Sequence, residues 1–178
     1  MLISITESFD HISSLEYVLK NKHEKWLILD TGQQVINECY ELESDSNELD
    51  FGLGIAFAGT GIKPKILFVG SYQTVYVGFD SYLAAVPITQ PSSIIESQLL
   101  QLNGVFFDLF LLKNGNLCII HEIGVQVVTR ELTGIWSFSI DIVSDWALNE
   151  EQGILSLTLM DTEEVINLSI STGAILPA

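Results

Sequence analysis

Gly134-Ile135-Trp136-Ser137-Phe138-Ser139-Ile140-Asp141 switches between apolar and polar residues at nearly every step, the period of a strand that buries one face. Two more stretches repeat the pattern. Leu155, Leu157 and Leu159 alternate with Ser156 and Thr158, and Ile166, Leu168 and Ile170 alternate with Asn167 and Ser169. The rows Trp136/Phe138/Ile140, Leu155/Leu157/Leu159 and Ile166/Leu168/Ile170 therefore read as core. Ser137, Ser139, Asp141, Ser156, Thr158, Asn167 and Ser169 read as the wet face, and sheets wetted on one side are characteristically antiparallel.

Turn chemistry extends the reading upstream. Lys113-Asn114-Gly115-Asn116 separates strand-like residues 105–112 and 117–122, and its Asn-Gly pair suits the positive φ angles of a hairpin turn. Glu131-Leu132-Thr133 joins 125–130 to the strand at Gly134, and Asp161-Thr162-Glu163-Glu164 joins 154–160 to 165–170. Residues 66–69, 74–79 and 82–86 form a three-strand meander, and Trp26-Leu27-Ile28-Leu29-Asp30 reads as a short buried strand. Helical spacing occurs twice. Ile12, Leu15, Val18 and Leu19 follow a cap at Asp10 or Ser8, and Ile94, Ile95, Gln98, Leu99 and Leu102 follow Ser92-Ser93. Gly52, Gly54, Gly59 and Gly61 mark a segment where backbones approach closely.

The expected fold is α+β and predominantly antiparallel β. Its meander and hairpin sheets would be sandwich-like or partial-propeller-like, with two short helices near 10–20 and 92–102, in a single β-rich domain spanning 1–178. The stretches Gly134 through Asp141, Gly153-Ile154-Leu155-Ser156-Leu157 and Leu168-Ser169-Ile170-Ser171-Thr172-Gly173 resemble a blade of a β-propeller of the quinoprotein or WD-repeat kind. That resemblance covers about 40 residues and no function is carried across from it, because propellers are built from about four to eight such blades and this chain is too short for a typical set.

The composition separates classes of function. Twenty-three acidic against seven basic residues give a formal net charge of −16, which disfavours nucleic acid, since phosphate binding depends on Lys and Arg displacing counterions. The same field attracts a basic partner. The charge is uneven, with acids crowding 38–50 and no Lys or Arg in 131–178. Two cysteines and a start lacking a signal-peptide pattern point to a reducing cytoplasm, and no apolar run is long enough for a membrane span.

Motifs for chemistry fail on spacing. Cys118-x-x-His121 places its two groups on opposite faces of a strand, so they do not share a metal, and His121 reads as a core or edge histidine. Cys39 reads as a small buried apolar residue. There is no Gly-x-Ser-x-Gly, and the glycines at 52–61 do not fit a dinucleotide or phosphate loop. Glu38, Glu41, Glu43, Asp45, Glu48 and Asp50 lack a calcium-loop register. No enzyme activity, cofactor or metal is expected.

The leading functional expectation is an acidic protein-binding domain, of the kind an immunity-type inhibitor of a basic bacterial toxin such as a nuclease would be. Its expected contacts are Glu43, Asp45, Glu48 and Asp50 in the acidic stretch, and Glu150, Glu151, Asp161, Glu163 and Glu164 on C-terminal turns. The alternative is a small-molecule-binding or enzymatic domain with a pocket lined by Tyr72, Tyr76, Trp136 and Trp146.

Overall fold

Gly52 and Gly54 govern how the chain's helix meets its first sheet. The computed structural model describes residues 3–32, 36–44, 51–59, 61–88 and 98–177, and the chain divides into two compact units, Met1–Leu100 and Gln101–Ala178.

In the first unit, β1 (Ile3–Phe9), β2 (Trp26–Asp30), β3 (Glu38–Ser44) and β4 (Gly52–Phe57) make a mixed sheet in the order β1-β3-β4-β2. β2 lies parallel to β4, and the other pairs are antiparallel. Helix α1 (Ile12–Lys22) covers one face, where Leu15 and Leu19 pack with Cys39 and Ala56. A Cβ at Gly54 would lie 2.9 Å from Leu15 Cδ2, and one at Gly52 would lie 2.6 Å from His23 Cδ2. The glycines expected to permit close approach therefore admit the helix and the histidine that follows it. Leu53, Ile55 and Phe57 alternate with them and face the opposite core.

That second core is shared with an antiparallel sheet of β5 (Lys65–Val69), β6 (Thr74–Phe79), β7 (Tyr82–Pro87) and β8 (Gln98–Gln101), in the order β5-β6-β7-β8. Val75, Val77, Phe79, Ala84 and Val86 supply its side of the contact. The layers run helix, mixed sheet, antiparallel sheet.

The helical expectations need correction. Residues 98–101, taken as the end of a helix over 92–102, form β8; residues 92–97 lie outside the described residues. Pairing beside β7 overrides the local 3.6-residue spacing. Among the described residues α1 is the one α-helix. It begins at Ile12 with His11 in the cap position and no side-chain cap bond, so neither Asp10 nor Ser8 caps it. A missing cap costs about 1 kcal/mol, whereas burying Leu15 and Leu19 contributes roughly 3–6 kcal/mol. Packing holds this helix.

In the second unit, β9 (Phe106–Leu111), β10 (Leu117–His121), β11 (Gly124–Val128) and β12 (Gly134–Ser139) form one antiparallel meander. β13 (Val143–Asn149), β14 (Ile154–Leu159) and β15 (Val165–Ser169) form another. The two sheets share a core of Cys118, Ile120, Val125 and Val127 with Leu155, Leu157, Leu159, Ile166 and Leu168. Trp136, Phe138 and Ile170 pack against it as their alternation requires, while Ile140, one residue beyond β12, is 46% exposed. Residues 134–173 are not one propeller blade, because β12 pairs with β11 and β13 begins a separate sheet. In the Asn-Gly turn Gly115 alone adopts a positive φ, 84°, and Asn114 Oδ1 instead accepts from Asn116 N–H at 3.0 Å.

Candidate functional site

The alternation of strands sorts the turns of the second unit onto two ends. Turns after β9, β11 and β13 and the chain after β15 lie at one end; turns after β10, β12 and β14 lie at the other. Main-chain hydrogen bonds tie each group together. At the first end Lys113 N–H donates to Glu150 Oε1 at 2.8 Å and Ile170 N–H to Gly153 O at 3.0 Å. At the second, Ile140 N–H donates to Ile123 O at 3.0 Å, Val143 N–H to Glu122 O at 2.8 Å and Met160 N–H to Ile142 O at 2.8 Å.

Charge divides along the same line. Residues 101–178 carry two cations, Lys113 and Arg130, and both sit on first-end turns. The second end holds Glu122, Asp141, Asp161, Glu163 and Glu164 with no cation in its turns. The last four are exposed, and among them stand Ile140, Met160 and Val165, at 46%, 54% and 54% exposure. This end thus carries both exposed apolar side chains and carboxylates.

One turn at this end places a carboxylate residue in the left-handed region. Gly115, Gly153, Gly173 and Leu132 take a positive φ at the first end, and at the second end Glu163 does so with φ 56°. An L residue there costs about 1 kcal/mol or more relative to its ordinary conformation, so a carboxylate stands where glycine fits more easily.

The expected contact residues do not gather into one surface. Asp161, Glu163 and Glu164 share the second end, and Glu150 and Glu151 lie at the first, roughly 20 Å away along six-residue strands. Glu150 is already engaged by the Lys113 main chain. Glu43 lies on β3 of the first unit, 3.1 Å from Lys22 Nζ. Asp45, Glu48 and Asp50 lie outside the described residues.

A second cluster escaped the sequence reading. Lys22 Nζ also bonds Glu41 Oε2 at 2.9 Å, and Glu41 is fully buried beneath the end of α1. Its Oε1 and the Nε2 of His23 have no hydrogen-bond partner among the described residues. Those two carboxylate hydrogen bonds raise the Lys22 ammonium above its ordinary value of 10.5, against partial burial. Alternation along β3 signals this site: Cys39, Glu41 and Glu43 share the helix-facing side, and Lys22 ends the helix above them.

The groups singled out for chemistry are buried. Cys118 is buried, which pushes its thiol up to about 12, helped by the charges of Asp108 and Glu150. Burial likewise raises Cys39. His121 is 1% exposed and held below its ordinary 6.5 by burial, with Glu122 acting in the other direction. Its Nδ1 has no partner among the described residues, so it is a core histidine left incompletely bonded. No group of three or more His, Cys, Asp or Glu among the described residues is arranged to hold a metal ion. No described helix is long and apolar enough to cross a membrane.

Of the aromatic residues of the alternative reading, Tyr72 is half-buried in a turn of the first unit, and Tyr76, Trp136 and Trp146 are committed to packing. Tyr76 is buried in β6. Trp136 Nε1 donates to Ile170 O at 3.0 Å. Trp146 stacks on Phe107 at 5.8 Å and donates to Asp108 Oδ2 at 3.1 Å. A depression of about 200 Å³ lies at the first end, lined by Leu112, Lys113, Asn114, Glu150, Gly153, Ile170 and Ser171, below the roughly 300 Å³ at which small-molecule pockets begin.

No protein-family model matches this chain, and no curated protein matches it. Among solved structures it is similar to a protein of unknown function from Bacteroides caccae, with 12% identity over 86% of this chain and a TM-score of 0.42. The chain spans 59% of that protein's length.

Proposed function

We propose that this protein is a protein-binding module for a basic partner and that the second end of its C-terminal unit is the contact. The observation that carries the reading is the segregation of charge: both cations of residues 101–178 lie on the opposite turns, leaving a cation-free end that mixes carboxylates with exposed Ile140, Met160 and Val165. Carboxylates steer a cationic partner and set its orientation, while the exposed apolar groups give the encounter area to desolvate.

Within this class the favoured role is an immunity-type inhibitor, acting in a reducing cytoplasm, whose partner is a basic toxin such as a nuclease. The absence of a matched nucleophile and base in the sequence favours binding over catalysis. The test is a pull-down at low salt with bound protein identified by mass spectrometry. A basic protein retained by the natural chain, lost with Asp161→Lys/Glu163→Lys/Glu164→Lys and kept with Glu150→Lys/Glu151→Lys is the expected result. Retention that ignores the triple reversal overturns the assignment.

A further inference from the structure

The edges of the second unit are not equally protected. An unpaired strand edge invites another strand, and folded proteins block it with charges, bulges or covering chain. β15 is covered: Ser169 N–H donates to Ala174 O at 2.8 Å and Leu176 N–H to Asn167 O at 2.8 Å, with a bridge between Leu168 and Ile175. β13 carries an exposed Asp145 and a register shift beside it. β9 carries Asp108. β12 has none of the charges: residues 134–140 contain no ionisable side chain and no proline, in a chain of net charge −16. Its one irregularity, between Val127 and Val128 of the partner strand, falls at its start and leaves Trp136–Ser139 regular.

The phase of the edge follows from one hydrogen bond. Ile140 N–H reaches Ile123 O, and the register pairs Phe138 with Val125 and Trp136 with Val127. Main-chain bonding alternates along an antiparallel pair, so Trp136, Phe138 and Ile140 bond inward to β11. The N–H and C=O of Ser137 and Ser139 point outward, where no described strand pairs with them.

We propose that β12 pairs antiparallel with β12 of a second copy of this chain, about a two-fold axis at Ser137. This contact is independent of the acidic end. The argument is self-complementarity. With Ser137 opposite Ser137 of the second copy, the outward main-chain groups meet in a hydrogen-bonded pair, and Ser139 falls opposite Ile135. On the core side, Trp136 falls opposite Phe138 twice, giving two cross-strand aromatic pairs of the kind that stabilise sheets. The Trp136 ring is already fixed for this by its bond to Ile170 O and by Gly173, where a Cβ would lie 2.5 Å from the ring. One strand edge buries less than the roughly 1,200 Å² of stable interfaces, so the dimer forms at high protein concentration.

Sedimentation velocity over a concentration series tests this. The natural chain is expected to pass from monomer to dimer, with dimer favoured by added salt because like net charges are screened. Contact with a basic partner weakens with salt, so the two readings fail separately. Ser137→Asp, at an exposed position, sets like charges facing each other at the axis and should weaken the dimer at least tenfold. Ser137→Cys should form an intermolecular disulfide under mild oxidation, whereas Ser144→Cys on β13 should not; the natural cysteines are both buried. A chain monomeric at every concentration overturns the proposal, as does a dimer indifferent to Ser137→Asp. If Ser137→Asp lowers the melting temperature, the Ser137→Cys cross-link decides, and its failure to form overturns the proposal.

Discussion

Lys22 Nζ lies 2.9 Å from Glu41 Oε2, joining a half-exposed cation at the end of α1 to a carboxylate that is fully buried on β3. The asymmetry decides what each substitution does. Removing Lys22 strands a buried charge, whereas removing Glu41 leaves an ammonium that still has water and Glu43, 3.1 Å away. Lys22→Met is therefore expected to cost about 2 kcal/mol, less than the roughly 3–5 kcal/mol of a wholly buried pair because its cation is partly solvated. Glu41→Leu should cost less than Lys22→Met. Urea denaturation of both variants checks the order, and the reverse order would mean the pair itself stabilises the fold. Because Lys22 is raised in the folded state, its contribution is fully present below pH 10.5 and is lost as pH climbs through the folded-state value.

Gly124 offers a sharper packing test. It adopts φ 145°, and a Cβ there would run into the main-chain oxygen of Phe138, which cannot rotate away. Gly54 meets only the branched ends of Leu15 and Leu19. Gly124→Ala is expected to cost more than about 3 kcal/mol and Gly54→Ala about 1–3 kcal/mol, the range for overpacking that side-chain shifts relieve. Thermal melts of the two variants settle the ranking; equal losses would mean that the β10–β11 turn can re-form.

His121 should make the fold acid-sensitive. Its pKa is lowered by burial, so below pH 6.5 the unfolded chain binds a proton that the folded chain refuses. Stability is then highest above 6.5 and falls as pH drops through the lower folded-state value. His121→Leu removes the proton site and the unpartnered Nδ1 together. The variant should show a flatter stability profile between about pH 5 and 7 in urea titrations. An unchanged slope would assign the acid sensitivity to other groups.

Much of the fold is written in alternation. Trp26–Asp30, Thr74–Phe79 and the rows at 155–159 and 166–168 were legible because burial on one or both faces dictates their side chains. β13 was not, since Val143 and Asp145 straddle a register shift that breaks the period. Residues 98–101 read as helix because spacing is local, while the hydrogen bonds that make them a strand come from β7. Of the expected contacts, Asp161, Glu163 and Glu164 could be placed on a turn from sequence. Their separation from Glu150 and Glu151 could not, because turns close in sequence alternate between the two ends of the unit only once strand direction is known. Glu41 belongs to the acidic 38–50 stretch, and its burial is not legible there because the helix that covers it is set by Leu15, Leu19 and the glycines of β4.

Glu163 allows the binding role to be separated from the folding role at one position. With φ 56° its backbone is better suited to glycine, and its side chain is exposed. Glu163→Gly should be neutral or stabilising by up to about 1 kcal/mol, the relief of the left-handed conformation being partly offset by glycine's greater freedom when unfolded. The same change removes one carboxylate from the end that carries Ile140, Met160 and Val165. A probe peptide with lysines on one helical face and leucines on the other should bind the natural chain more tightly than polylysine does, because it can cover the apolar groups as well as the charges. With Glu163→Gly its affinity should fall several-fold at low salt, as for loss of a rim charge, and the difference should shrink as salt is added. A variant that is more stable and binds less well would assign the carboxylate to the partner. A variant that loses stability in step with binding would instead make Glu163 part of the turn's own structure rather than of the contact.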